Sequence, residues 1–215
     1  MRSKFDEQLA LLNRDLTKMG SLCEEALALA AKALANADGQ TAAKIAPIDS
    51  EIDQMERTIE SLCLKLLLQQ QPVARDLRQI SAALKMITDM ERIGDQASDI
   101  AEIIGFLNGR IGTDAQYICQ MAVAAMRMVT ESVEAYVKRD VAMAEATIQH
   151  DDVVDDLFLK VKESLIQMIS ENPKDGEYAL DLLMIAKYFE RIGDHAVNIA
   201  EWVIFAITGN TYSEK

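Results

Sequence analysis

Twice in this sequence a glutamate is followed four residues later by an aspartate inside the same twelve-residue phrase. The first copy reads Glu91-Arg92-Ile93-Gly94-Asp95-Gln96-Ala97-Ser98-Asp99-Ile100-Ala101-Glu102. The second, ninety-nine residues later, reads Glu190-Arg191-Ile192-Gly193-Asp194-His195-Ala196-Val197-Asn198-Ile199-Ala200-Glu201. Nine of the twelve positions are identical, which marks an internal repeat rather than a chance acidic run. On a helix, positions i, i+4, i+8 and i+11 share a face because 3.6 residues make a turn. Glu91, Asp95, Asp99 and Glu102 therefore form one stripe, and Glu190, Asp194, Asn198 and Glu201 form its copy. Ile93, Ala97, Ile100 and Ile104 make an apolar stripe alongside, so carboxylates run beside a packed seam.

Each stripe has a companion. Asp49 and Asp53, one helical turn apart, precede the first stripe, and Asp151 and Asp155 precede the second. The second pair sits in the doublets Asp151-Asp152 and Asp155-Asp156, which leaves the choice of ligand within each doublet open. In an up-down-up bundle the companion helix runs antiparallel to the stripe. Asp49 and Asp53 then face Glu91 and Asp95, while Asp151 and Asp155 face Glu190 and Asp194. Unit charges roughly 5–6 Å apart repel by roughly 3 kcal/mol at an effective dielectric near 20. A hard or borderline cation such as Mg, Mn, Ca or Fe relieves this by coordinating the oxygens directly. Alternatively, Arg92 and Arg191 pair with Asp95 and Asp194 three residues on, leaving a solvated, ion-paired face. Both readings stand on the residues alone. Gly94 and Gly193 lie mid-helix, where glycine costs about 1 kcal/mol relative to alanine, so something must approach closely there, a neighbouring helix or a ligand.

Long helices must carry these positions. Half of the 215 residues are apolar, there are three prolines, and no run alternates with a period of two, so the expected fold class is all-α. A first helix is predicted from about Ser3 to Asn36, burying Leu9, Leu12, Leu16, Met19, Cys23, Ala26 and Ala30, and broken by Asp38-Gly39. A second segment runs to Gln71 with the seam Ile45, Ile48, Ile52, Met55, Ile59, Leu62 and Leu66, and tolerates Pro47 near its start. After Pro72 the third carries Leu77, Ile80, Leu84 and Ile87 and then the acidic stripe, ending near Asn108-Gly109. Gly112-Thr113-Asp114 opens a fourth, with Thr113 or Asp114 as N-cap. The fifth carries the Asp151 to Asp156 cluster and ends at Pro173, and the sixth carries the second stripe. A shift of 102 residues pairs Met19 with Met121, Asp38 with Asp140, Asp49 with Asp151 and Asp53 with Asp155. Two pseudo-symmetric three-helix bundles follow, residues 1–110 and 111–215, built from helices of about 30 residues or roughly 45 Å.

A net charge of −13 with no basic stripe excludes a nucleic-acid partner. No apolar run approaches the roughly 20 residues that span a bilayer, so no membrane span is expected. The start, Met1-Arg2-Ser3-Lys4-Phe5-Asp6-Glu7, lacks the apolar stretch of a signal peptide. Cys23, Cys63 and Cys119 are an odd number in apolar helical contexts, and read as reduced core thiols of a cytoplasmic protein. His150 and His195 read as hydrogen-bonded side chains rather than ligands. There is no nucleophile elbow, no phosphate-cradling glycine loop and no Cys-His pair, so no enzyme is expected. The missing E-x-x-H motif argues against a ferritin-like oxidase.

Met19-Gly20, Asp49-x-x-Ile52-Asp53 and the twin E-R-I-G-D-x-A-x-[DN]-I-A-E segments together resemble the PhoU family, the regulators of phosphate uptake, over nearly the whole chain. The resemblance implies two three-helix bundles with metal held through E-x-x-x-D motifs on the bundle surface. Carried onto this sequence, the ligands are Asp49, Asp53, Glu91 and Asp95 in the first half and Asp151, Asp155, Glu190 and Asp194 in the second. Asp99 and Asn198 follow as weaker members. The ion implied is divalent or trivalent: Fe, Mn, Mg or Zn. The resemblance also implies a cytoplasmic negative regulator, an adaptor between the ATPase subunit of the phosphate ABC transporter and a membrane sensor histidine kinase. A homodimer is expected. Two other classes compete: a metal-storage or metal-buffering helical protein without a phosphate role, and a metal-free bundle whose acidic faces bind basic partners.

Overall fold

Apolar side chains spaced three and four residues apart wind nearly the whole chain into helix, as a computed structural model shows for residues 2–70, 72–107, 109–110 and 115–212. The elements are α1 (Arg2–Asn36), α2 (Gly39–Ala42), α3 (Ile45–Gln70), α4 (Ala74–Phe106), α5 (Gln116–Lys138), α6 (Val141–Gln149), α7 (Asp151–Glu171) and α8 (Gly176–Thr208). A 3-10 turn, Pro173–Asp175, leads into α8, and no strand occurs among the described residues. The all-α expectation holds. Gln71, Asn108 and the segment Gly112-Thr113-Asp114, with its expected N-cap, lie outside the described residues.

The duplication is written into the turns. At the end of α1, Ala37 takes a left-handed φ of 53°, and Asp38 N–H reaches back to Ala33 O at 3.0 Å. At the end of α5, Arg139 takes φ 56°, and Asp140 N–H reaches Ala135 O, also at 3.0 Å. This six-to-one bond satisfies carbonyls that the helix end would leave bare. Each aspartate then caps the next helix: Asp38 accepts from Gln40 N and Asp140 from Met143 N. The second segment is less continuous than its seam suggests. A single turn, α2, is followed by two non-helical residues before α3 begins, and Pro47 sits in the first turn of α3, where no N–H is required. In the second half the break falls instead at His150, between α6 and α7.

Helices α1, α3 and α4 pack mutually, as do α5, α7 and α8, giving the two three-helix units. The units share a single core, joined along α4 with α8 and α1 with α5. Gly20 of α1 permits the second contact, since a Cβ there would stand 2.8 Å from Val133 Cγ1 of α5. Helices α4 and α8 run antiparallel. Asp89, just before the stripe of α4, meets His195 and Asn198 late in α8, while Asp99, later in α4, lies near Tyr188, earlier in α8. Leu12, Leu16, Met19, Ile52, Ile59, Met86 and Phe189 are sealed in the core. Six expected core positions differ: Leu9, Ile48, Leu62 and Leu84 are only partly buried at the edge of the core, and two more stand out. Leu77 is 45 % exposed, because it lies in the exposed first turn of α4 and the buried seam begins at Ile80. Cys23 and Cys63 are buried, but Cys119 is only half-buried, on the wall of a surface groove.

Candidate metal centre

The antiparallel packing of α3 on α4 brings the first companion pair onto the first stripe. One oxygen from each of Asp49, Asp53 and Asp95 lies within 4.8 Å of the others, and all three side chains are half-buried. Ligands on opposite sides of an ion bound at about 2.0–2.4 Å stand no more than about 4–5 Å apart, so this spacing fits one cation. Asp49 is the innermost member. Ser98 Oγ donates to its Oδ2 at 2.8 Å, while its Oδ1 is sealed from solvent with no hydrogen-bond partner. A buried carboxylate oxygen without a partner is costly, and a cation is the direct remedy.

Gly94 explains how that oxygen fits. A Cβ at this position would lie 2.7 Å from Asp49 Oδ1 and 3.0 Å from Ile52 Cδ1. The same arrangement recurs in the second repeat: Asp151 Oδ1 is also sealed and unpartnered, and a Cβ on Gly193 would stand 3.0 Å from it. The mid-helix glycines therefore clear space for a carboxylate from the facing helix, and the feature is duplicated. Burial, opposed by the Ser98 hydrogen bond and reinforced by Asp95, Asp53 and Asp99, pushes the Asp49 carboxyl above its ordinary range. Burial with Asp155, Asp194, Glu190 and Asp152 pushes Asp151 up to about 6. Burial is the larger cause at both aspartates, and the neighbouring carboxylates add to it.

The remaining predicted residues divide. Glu91 stands at the margin of the first set, raised by burial and then by Asp95, and bridged to Arg92 Nε at 3.4 Å. The ion-pair alternative is present beside the metal geometry: Arg92 Nη1 bonds Asp95 Oδ2 at 3.0 Å, yet leaves Asp49 Oδ1 bare. Among the described residues Arg191 makes no matching bridge to Asp194; Lys187 instead pairs with Glu190. Asp155 and Asp194 are exposed, and both carboxyls are raised first by burial and then by Glu190. The weaker members point elsewhere. Asn198 Nδ2 donates to Asp89 at 3.0 Å across the α4–α8 seam, and Asp99 lies near Tyr188 on the same seam while its charge still acts on Asp49. Both histidines are hydrogen-bonded to carboxylates, His195 to Asp89 and His150 to Glu131, each at 2.8 Å.

Sequence reasoning missed Ser98, which orients Asp49, and Lys187, which enters the second site. Ser98 lies in the repeated phrase three residues after Asp95, at a position where the second copy has valine, so comparing copies hides it. Lys187 lies three residues before Glu190, just outside the phrase.

A separate feature lies on the outer side of the second repeat. A groove of about 870 Å³ between α5 and α7 has Cys119, Val123, Ala124, Val153 and Leu157 along its walls. Val123 is 58 % and Val153 51 % exposed. At the register-matched positions of the first repeat, Lys18 and Glu51 form a 2.7 Å ion pair between α1 and α3 where the second repeat has Gln120 and Val153. The fold does not require apolar side chains there.

The sequence matches the PhoU domain twice, over residues 16–104 and 118–203. It is 37 % identical over 210 residues to a phosphate-specific transport system accessory protein PhoU homolog of Clostridium acetobutylicum, covering 97 % of this chain and 96 % of that one. A homolog of the same description from Pseudomonas aeruginosa is 34 % identical, with 96 % and 86 % covered. The crystal structure of PhoU from Pseudomonas aeruginosa superimposes with a TM-score of 0.92, covering 96 % of this chain and 100 % of that one at 34 % identity. The phosphate transport system regulatory protein PhoU from Streptococcus pneumoniae superimposes with a TM-score of 0.88, at 25 % identity, covering 98 % of this chain and 100 % of that one.

Proposed function

The chain belongs to the PhoU family, and from that membership we propose that it restrains phosphate uptake and the phosphate-starvation response when phosphate is plentiful. The observation that carries this reading is the two-repeat, nearly full-length match to phosphate-specific transport system accessory proteins. In this reading the protein works by binding. Its partners are the ATPase subunit of the phosphate ABC transporter and a membrane sensor histidine kinase, and it self-associates as a homodimer. A cytoplasmic location belongs to the same proposal, because ATPase subunits and kinase domains consume ATP there. Among the described residues no helix is long and apolar enough to cross a membrane. Long helices sharing one core support such a role, since a preorganised surface loses little entropy on docking. The α5–α7 groove adds exposed apolar area of the kind that docking buries.

The repeats, residues 1–110 and 111–215, are each proposed to present a cation site. Asp49, Asp53 and Asp95 would hold the ion in the first, with Glu91 beside them, and Asp151, Asp155, Glu190 and Asp194 in the second. The oxygen-only donor set favours Mg, Mn or Fe over Zn, which takes sulfur and nitrogen more readily. A cation there would neutralise the clustered carboxylates and tie α3 to α4. Metal buffering without a phosphate role is the second reading, favoured by the same sealed, unpartnered oxygens. Deleting the gene in its host separates the two. The regulator predicts phosphate-starvation genes switched on in phosphate-rich medium. Changed metal tolerance with intact phosphate signalling would replace it by the buffer.

A further inference from the structure

We propose that the two acidic sites are unequal, with Lys187 acting as a tethered counter-ion that holds the second site, so that the first repeat takes a divalent cation in preference to the second. The inference rests on the metal reading above and concerns what this chain's own residues do to it.

The repeat register exposes the difference. Lys187 in α8 corresponds to Thr88 in α4, ninety-nine residues earlier, and Phe158 in α7 corresponds to Glu56 in α3, under the 102-residue shift. In the first repeat Thr88 is neutral and turns its hydroxyl back to Leu84 O of its own helix. Glu56 adds a carboxylate near Asp53 and Glu91, raised first by burial. In the second repeat the carboxylate is gone and an ammonium has arrived. Lys187 Nζ pairs with Glu190 and lies 5.5 Å from the centre of the Phe158 ring. It also draws the Asp155 and Asp194 carboxyls down, against the burial that raises them, so its charge reaches three of the four proposed ligands.

The glycine notch is retained, although among the described residues only Asp49, Asp53 and Asp95 each bring an oxygen within 4.8 Å of the others. Gly193 still clears room for Asp151, whose Oδ1 is still sealed and unpartnered. The source of positive charge differs, and Val197 stands where Ser98 bonds Asp49 in the first repeat. The cations of the first repeat are guanidinium groups of more exposed side chains: Arg92 on Asp95 at 3.0 Å, and Arg57 on Asp53 at 3.5 Å, 56 % and 68 % exposed respectively. Exposed pairs of that kind contribute little and yield to a competing ion. Lys187 is itself 40 % exposed, but its partner Glu190 is only 15 % exposed, against 42 % for Asp95, 40 % for Asp53 and 20 % for Glu91. Arg92 and Lys187 share the same three-residue tether, so the burial of Glu190 is what sets Lys187 apart: an ion entering the second site must displace a counter-ion held at high local concentration on a less exposed carboxylate.

The test is Mn²⁺ alone, titrated calorimetrically into the full chain after chelator treatment and dialysis. The expected stoichiometry is about one tight ion per chain, since a tenfold affinity gap is enough to separate two classes of site. Asp49→Asn combined with Asp95→Asn should abolish the tight class. Lys187→Thr, which puts the first repeat's residue into the second, should raise second-site affinity at least about tenfold and bring the stoichiometry to about two. Lys187→Arg should leave the wild-type stoichiometry. Lys187→Gln provides the same neutralisation should the threonine variant fold poorly by circular dichroism. Two equal tight ions in the wild type, or no gain in either neutral variant, would overturn the role of Lys187 while leaving the metal reading intact. No binding by the wild type would overturn both.

Discussion

Gly94→Ala and Gly193→Ala are the same substitution at the same repeat position, and the structure predicts different outcomes. Alanine gains about 1 kcal/mol over glycine in a helix interior, through backbone entropy. At Gly94 that gain is opposed by a Cβ 2.7 Å from Asp49 Oδ1 and 3.0 Å from Ile52 Cδ1. Neither neighbour yields easily: Ile52 is fully buried, and Asp49 is tethered by Ser98. Overpacking of this kind costs roughly 1–3 kcal/mol, so a net loss of about 0–2 kcal/mol is expected. At Gly193 the nearest atom is Asp151 Oδ1 at 3.0 Å, and Val154 stands at an ordinary 3.7 Å. A shift of a few tenths of an ångström by one carboxylate accommodates the methyl, and the net change should fall within about 0.5 kcal/mol of zero. Urea denaturation of both variants in chelator measures the difference as a change in midpoint at constant slope. A stabilised Gly94→Ala, or a Gly193→Ala as costly as Gly94→Ala, would refute the view that Gly94 exists to admit Asp49. Gly94→Ala should also weaken Mn²⁺ binding, since the methyl displaces the innermost ligand.

Three further outcomes follow from the site and the seam. Asp151, with a folded value of about 6 against an ordinary 3.8, is bound more tightly to its proton in the folded state, so its contribution is full below about pH 4 and lost as pH rises through about 6. A shift of that size corresponds to about 3 kcal/mol, cut to about 1 kcal/mol by solvent at a half-buried carboxylate. Metal-free Asp151→Asn should therefore match the wild type near pH 4 and exceed it by about 1 kcal/mol at pH 7, in paired denaturation curves. Mn²⁺ at about 100 times its Kd should stabilise the protein by about 2.7 kcal/mol, or about 5–10 °C in Tm by calorimetry, and chelator should reverse it. Asp89→Ala strips His195 and Asn198 of their shared acceptor and should cost about 1–3 kcal/mol in urea.

Much of this molecule is legible in its sequence. Helix identity followed from three- and four-residue apolar spacing, because one helix face must leave water whatever it packs against, and Ile93, Ala97, Ile100 and Ile104 are all buried as that spacing requires. Asp38 and Asp140 were matched by register and cap corresponding helices, since capping is local chemistry that any copy of the turn inherits. The facing of Asp49 and Asp53 onto the first stripe followed from antiparallel neighbours. Tertiary packing decided the rest. Stripe membership does not say which neighbour a residue meets: a helix in a shared core has several, and one turn along the stripe Asn198 bonds Asp89 across the α4–α8 seam while Asp99 lies between that seam and the cleft. A glycine in a sequence marks only a missing side chain; the facing helix determined that an aspartate oxygen fills the space. The two sites look alike in sequence because nine of twelve positions repeat, whereas their electrostatics depend on one of the three that do not, Ser98, and on side chains outside the phrase. Lys187 and Phe158 lie far apart in the chain, and only the packing of α7 on α8 brings them to one cleft, because charge acts through distance in space and not along the sequence.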